Sequence, residues 1–168
     1  MTMAKGWFIS AGVVALSICA LAGSARAADP GCIVLQNIAE VEQASTDAKG
    51  VKTVKLVPAV KVVPGDTVIY TLKFRNTCDK PAEKVSVDNP VPEHMAYVAG
   101  SAVGPNTDIS FSIDGGYKFA KAEELRKKDS DGTERAARAN EYTNIRWVMN
   151  HLLAAGAEGY ARFRAVLE

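Results

Sequence analysis

Ten consecutive residues, Thr67 to Asn76, place Val68, Tyr70, Leu72 and Phe74 on alternate positions, with Thr67, Thr71, Lys73 and Arg75 mostly on the others. A repeat of two belongs to an extended strand with one face buried, and a helix, whose repeat is 3.6, cannot satisfy it. The alternation returns at Val85 and Val87, at Ile109, Phe111 and Ile113, at Ile145, Trp147 and Met149, and at Ala161, Phe163, Ala165 and Leu167. Turn chemistry separates these runs: Pro64-Gly65-Asp66, Asn76 to Pro81, Asn89-Pro90-Val91-Pro92, Asp114-Gly115-Gly116 and Gly156 to Gly159.

Val51 to Val57 reads as a further strand, valine-rich with lysines interspersed. Those lysines and the flanking Pro58 and Pro64 suit a sheet edge, where such residues discourage stray pairing. Ile33 to Gln43 stays open between strand and helix, because Ile38 and Val41 are three apart. About seven short strands with regular turns predict an all-β fold, an immunoglobulin-like antiparallel β-sandwich. Trp147 is then a core residue, and Tyr70 and Tyr97 carry their hydroxyls to the rim.

Lys118 to Arg138 differs in character, with Phe119 and Leu125 as its large apolar groups. Glu123 and Glu124 precede Lys127 and Lys128 by four, the spacing of a helical turn, and Ser130-Asp131-Gly132 reads as a tight turn. This segment is expected on the surface as a charged loop, either simply solvated or carrying contacts.

The N-terminus carries Lys5, an apolar run from Trp7 to Leu21 and small residues ending in Ala25-Arg26-Ala27. That is the pattern of a secretory signal peptide over residues 1–27 with an A-x-A cleavage site, followed by one domain over 28–168. A retained anchor is the weaker reading, since the run falls short of a bilayer span. A lipoprotein reading at Cys19 has bulky Ile18 where a small residue is wanted. The expected destination is the periplasm or the cell surface, with no membrane span after cleavage.

Loss of Lys5 and Arg26 with the leader leaves 18 basic against 19 acidic side chains, from 20 and 19 in the whole chain. A nearly neutral protein lacks the basic footprint that nucleic acid requires. Cys32 and Cys78 remain as an even pair in an oxidising compartment and are expected to bond, the alternative being two separate thiols.

Several stretches together resemble the bacterial surface-protein module known as domain of unknown function 11. They are Val63-Pro64-Gly65-Asp66-Thr67-Val68-Ile69-Tyr70, Asn76-Thr77 with Pro81-Ala82, Asn89 to Pro92, Tyr97 to Ser101, Asn144-Ile145-Arg146-Trp147, and Gly156 to Gly159 followed by Phe163-Arg164. The resemblance covers most of Lys61 to Leu167. It implies an immunoglobulin-like sandwich in exported or surface proteins, with no established catalysis and no catalytic residue to carry over. Cys78 stands where the family turn commonly has glycine, consistent with a staple to Cys32. The sequence carries one copy of the module and no C-terminal sorting motif, unlike the long stalks of tandem copies in which the module often occurs.

Chemistry is sparse. His94 and His151 are the only imidazoles, and with the cysteines paired they leave too few ligands for zinc. No nucleophile elbow, phosphate loop or H-E-x-x-H is present. Asp129 to Glu134 is oxygen-rich, but its glycine falls two positions early for an EF-hand loop. No enzyme, cofactor or metal is therefore expected. The leading reading is a non-catalytic structural or interaction module of the envelope that pairs with itself or a protein partner through sheet edges. The second is a soluble binding module for a glycan or small ligand, with Tyr117, Phe119, Tyr142 and Tyr160 as candidate aromatics.

Overall fold

The computed structural model describes residues 31–46 and 49–168, so the expected leader over residues 1–27 and its expected cleavage site lie outside the described residues. Ten strands follow in chain order: β1 (Ile33–Thr46), β2 (Lys52–Pro58), β3 (Thr67–Asn76), β4 (Ser86–Pro90), β5 (Met95–Tyr97), β6 (Thr107–Ser112), β7 (Arg126–Lys128), β8 (Glu134–Ala136), β9 (Asn144–Met149) and β10 (Glu158–Leu167). Five form one antiparallel sheet in the order β2-β1-β3-β10-β5, three form a second in the order β4-β9-β6, and β7 and β8 make a separate hairpin. The fold is the expected all-β antiparallel sandwich, the architecture of immunoglobulin-like domains.

The alternating residues supply the two inner faces. Leu72, Phe74, Ala161, Phe163 and Ala165 of the larger sheet meet Val87, Phe111, Ile145, Trp147 and Met149 of the smaller one, all buried. Trp147 is 1% exposed and packs on Phe163 with ring centroids 6.2 Å apart. Its Nε1–H is a buried donor without a partner. Gly159 lies opposite Phe74 in the β3–β10 register, and a Cβ there would fall against the Phe74 ring. A glycine is needed so that this ring can cross the neighbouring strand.

Buried Asn76 ties the ends of the strands together. Its Nδ2 donates to the carbonyls of Lys80, Leu153 and Ala154 at 2.7, 3.0 and 3.2 Å, and its Oδ1 accepts from the Cys78 N–H. Beside it the Cys32–Cys78 disulfide forms, with its Cα atoms 5.2 Å apart, as the cysteine count predicted.

Ile33 to Gln43, ambiguous in sequence, is strand. Residues Ile33–Val41 pair with β3, whereas Glu40–Thr46 pair with β2. β1 therefore changes partner midway, and its second half with β2 projects past the last β3 pair, Val41 with Val68, as a two-stranded ribbon. The lysines of β2 do lie on a sheet edge.

Two expectations change. Tyr97 is buried rather than rim-facing, and its hydroxyl accepts the Ala102 N–H at 3.0 Å. The helical turn in the charged segment is a 3-10 turn at Ala122–Glu124, after which the chain extends into β7. Lys127 then bonds Glu141 at 2.9 Å rather than Glu123, because pairing with β8 prevails over the local i, i+4 ion pair.

Candidate functional site

The structure does not gather the four candidate aromatics. Tyr117 is 89% exposed after the Asp114 turn, whose carboxylate accepts the Ser112 hydroxyl and the N–H groups of Tyr117 and Lys118 and so turns the ring outward. Those bonds, the Lys118 N–H foremost, hold the Asp114 carboxyl below its usual range. Phe119 lies under the Arg146 guanidinium, 3.7 Å from its ring centroid, while that guanidinium also forks onto Asp88 at 2.7 Å. Tyr160 occupies an outward position of β10 beside Arg162. These are separate surfaces: Tyr160 borders a small hollow of about 170 Å³ beside Lys73 and Glu158, and Tyr142 enters an apolar concavity of its own.

That concavity is an apolar cleft of about 300 Å³ between the sandwich end and the charged segment. Tyr97, Phe111 and Tyr142 make one wall, with centroids 4.7–5.7 Å apart. Ala122 and Ala139 make the other. These alanines occupy equivalent places in a short internal echo, Lys121-Ala-Glu-Glu-Leu125 and Arg138-Ala-Asn-Glu-Tyr142. In each, a 3-10 turn is closed by its glutamate accepting the backbone N–H at its start, Glu124 from Lys121 and Glu141 from Arg138. In each, the residue that follows, Leu125 or Tyr142, is buried. Burial first, then Tyr97 and Glu123, raises the Tyr142 phenol above its ordinary value. The echo was readable in the sequence and is the signal that could have found this wall.

The hairpin behind the cleft is fastened by charge. Arg135 bonds Asp129 through Nε at 2.9 Å and Glu141 through both terminal nitrogens at 2.7 Å. Asp131 accepts the Thr133 N–H at 2.9 Å, and Gly132, with φ +88, completes the expected turn. These carboxylates thus serve the turn itself, and no group of three or more metal-ligating side chains occurs among the described residues. His94 and His151 are both exposed, on separate loops.

The second feature is a strand edge. Ala39 C=O accepts from Ala59 N–H on the β2 side, whereas Cys32 C=O accepts from Thr77 N–H on the β3 side. Backbone groups alternate sides along a strand. Ile33, Leu35 and Asn37 therefore aim their N–H and C=O away from β3, where no strand among the described residues pairs with them. Val34 and Leu35 on this edge are 55% and 48% exposed.

Every other outer strand carries a device that resists pairing. β2 has Lys52, Lys55 and Pro58, β4 has Asp88 and Pro90, and β5 is three residues long. β6 has Asp108 and is partly covered by backbone bonds between Phe111 and Ala120. Ile33 to Ile38 has neither charge, nor proline, nor cover among the described residues, and Ala59 closes the edge at Ala39.

No family model, no curated protein and no solved structure matches this chain.

Proposed function

We propose that this protein is an exported, non-catalytic interaction module of the bacterial cell envelope or surface that works by accepting a strand along a sheet edge. The observation that carries the reading is the edge at Ile33 to Ile38, unguarded among the described residues, beside outer strands that carry charges, prolines or cover. Unpaired donors and acceptors spaced along an extended backbone are complementary to another strand and to little else. The leader pattern and the disulfide support an oxidising destination. The resemblance to domain of unknown function 11 supports the same assignment.

The test is a photocrosslinking residue at Leu35 in the full chain, exported by its own leader, with the same residue at Lys55 on β2 as comparison. The reading expects adducts from position 35 that vanish in an Asn37→Pro background and none from position 55. Equal labelling at both positions, or none at 35, overturns it.

A second reading draws support from the cleft: a soluble binding module for a small ligand, with Tyr142 as the aromatic that touches it. The apolar lining suits an alkyl or aromatic group better than a glycan. Native mass spectrometry of the exported protein tests it. A bound small molecule that is lost in Ala139→Trp, which fills the cleft, would support this second reading.

A further inference from the structure

Resting on the cleft reading, we infer that the ligand of the aromatic cleft is a small uncharged molecule with an apolar body and one carbonyl-type oxygen, which accepts from the hydroxyls of Tyr97 and Tyr142. Space sets the size. A closed apolar cavity of roughly 150 Å³ holds one benzene ring. A cleft of about 300 Å³, opening past exposed Ala99 and Gly100, takes such a ring with a short substituent. Composition sets the body. Apart from the two tyrosines, every lining residue is alanine, glycine, isoleucine or phenylalanine, so a sugar would leave most of its hydroxyls without partners.

The polar end follows from counting donors. A phenol has one proton to give as well as lone pairs to accept with. The Tyr97 oxygen takes the Ala102 N–H at 3.0 Å, and its own proton has no acceptor among the described residues. Tyr142 is 8% exposed, and its hydroxyl bonds to no described residue. Among those residues the fully enclosed side-chain donor without a partner is Trp147 Nε1, so the Tyr142 oxygen, unpartnered but not enclosed, opens onto the cleft that the residue lines. The two tyrosine rings stack with centroids 5.7 Å apart. Burial, then Tyr97 and Glu123, raises the Tyr142 phenol, which keeps its proton and marks the three groups as neighbours. Two protons without acceptors select the ligand group. The oxygen of a ketone, ester or amide has two lone pairs and takes both, whereas an ammonium accepts neither and leaves both donors unmet. A carboxylate would enter an apolar site beside the Glu123 carboxylate, where desolvation and like charge both oppose it. Lys121 and Arg138, beside the wall alanines, are exposed to water.

Four probes of similar shape separate these cases on the exported protein by ligand-observed nuclear magnetic resonance: acetophenone, α-methylstyrene, in which a methylene replaces the carbonyl oxygen, benzoate and α-methylbenzylammonium. Acetophenone should bind about tenfold more tightly than α-methylstyrene, the worth of one net hydrogen bond from a buried donor. Both ions should bind more weakly than either neutral probe. The carbonyl carbon resonance of acetophenone should move downfield on binding, as it does when that oxygen accepts hydrogen bonds. Tyr142→Phe removes a hydroxyl that has no partner in the protein, so it should leave the melting temperature unchanged and erase the preference over α-methylstyrene. Tyr97→Phe should reduce the preference too, with a lower melting temperature because the Ala102 N–H loses its acceptor. Equal binding of acetophenone and α-methylstyrene, both lost in Ala139→Trp, overturns the inference and leaves the cleft reading standing. Tighter binding by either ion, or a preference unchanged in Tyr142→Phe, overturns it likewise. Binding by none of the four overturns it as well, and the cleft reading falls with it only if native mass spectrometry also finds no molecule that Ala139→Trp removes.

Discussion

Replacing Cys32 and Cys78 together by serine separates what the disulfide does to the folded state from what it does to the unfolded chain. The two cysteines are 46 residues apart in sequence. In the chain-entropy treatment, closing a loop of that length removes roughly 13 cal/mol/K from the unfolded ensemble, or about 4 kcal/mol at 25 °C. The folded side keeps much of its clasp, because the Thr77 N–H and Oγ1 still donate to the Cys32 carbonyl at 2.8 and 3.0 Å. Urea unfolding of the double variant should therefore lose about 4 kcal/mol, a midpoint lower by roughly 2 M, with unchanged far-ultraviolet dichroism before the transition. The slope should rise, since an unlinked chain exposes more surface when it unfolds. A loss below about 1 kcal/mol, or an unchanged slope, would refute the assignment of the bridge to the unfolded state. Weakened native dichroism would instead mean that β1 needs the bridge to stay on β3.

Gly159→Ala should destabilise by about 1–3 kcal/mol because the new methyl meets the buried Phe74 ring, and Phe74→Leu in the same chain should recover part of that loss; urea titration of the single and double variants decides it. Trp147→Ala should cost about 3–5 kcal/mol as a core cavity, whereas Trp147→Phe, which leaves a smaller cavity and likewise removes the unmet indole donor, should cost clearly less. Equal losses for the two would show that the space the indole fills does not set the cost. The Glu141 carboxyl is held well below its usual range by Arg135, then by the Arg138 N–H and Lys127. A depressed folded pKa gives stability that is present above the ordinary carboxylate pKa of about 4.3 and disappears as pH falls through the lower folded value. The protection factor of the Ala137 amide, whose N–H bonds the Leu125 carbonyl, should fall on acidification in the wild type, and Glu141→Gln should flatten that dependence. Parallel acid profiles for the two proteins would show that the Arg135 cluster does not hold the hairpin.

The layers were legible because their core residues alternate: β3, β9 and β10 lie where Tyr70, Trp147 and Phe163 require. β1 was not, because Ile38 and Val41 fall on opposite faces of a strand whose facing layer is too narrow to cover it. Its apolar residues are half-exposed on both sides, which erases the alternation that burial imposes. β7 and β8 were invisible for a different reason. Arg126–Lys128 and Glu134–Ala136 have no buried member and no period, and their pairing depends on Arg135 reaching Glu141, six residues on. The cleft left one trace in the sequence, the echoed Lys121–Leu125 and Arg138–Tyr142 segments, but that Ala122 and Ala139 face Tyr97 and Tyr142 follows only from the folded chain.

The division of β1 between two partners explains why an edge is left open at all. A strand of 14 residues outruns β3, so its far half needs a different neighbour, which β2 supplies from the side opposite β3. Had β2 been long enough to follow β1 back to Ile33, its own lysine-guarded edge would have closed the sheet. It stops instead at Pro58, whose ring fixes φ and breaks the strand, and Ala59 makes one last bond before the chain leaves at Val60. The near half of β1 is thereby exposed along the side that β2 would have covered. Extending β2 should abolish edge pairing without touching β1: Pro58→Thr removes the ring that fixes φ there, and Ala59→Thr with Lys61→Thr adds β-branched residues beside Val60 and Val62. If this variant folds normally yet a photocrosslinker at Leu35 still captures partners as before, the paired surface lies elsewhere and the stop at Pro58 is not what creates it.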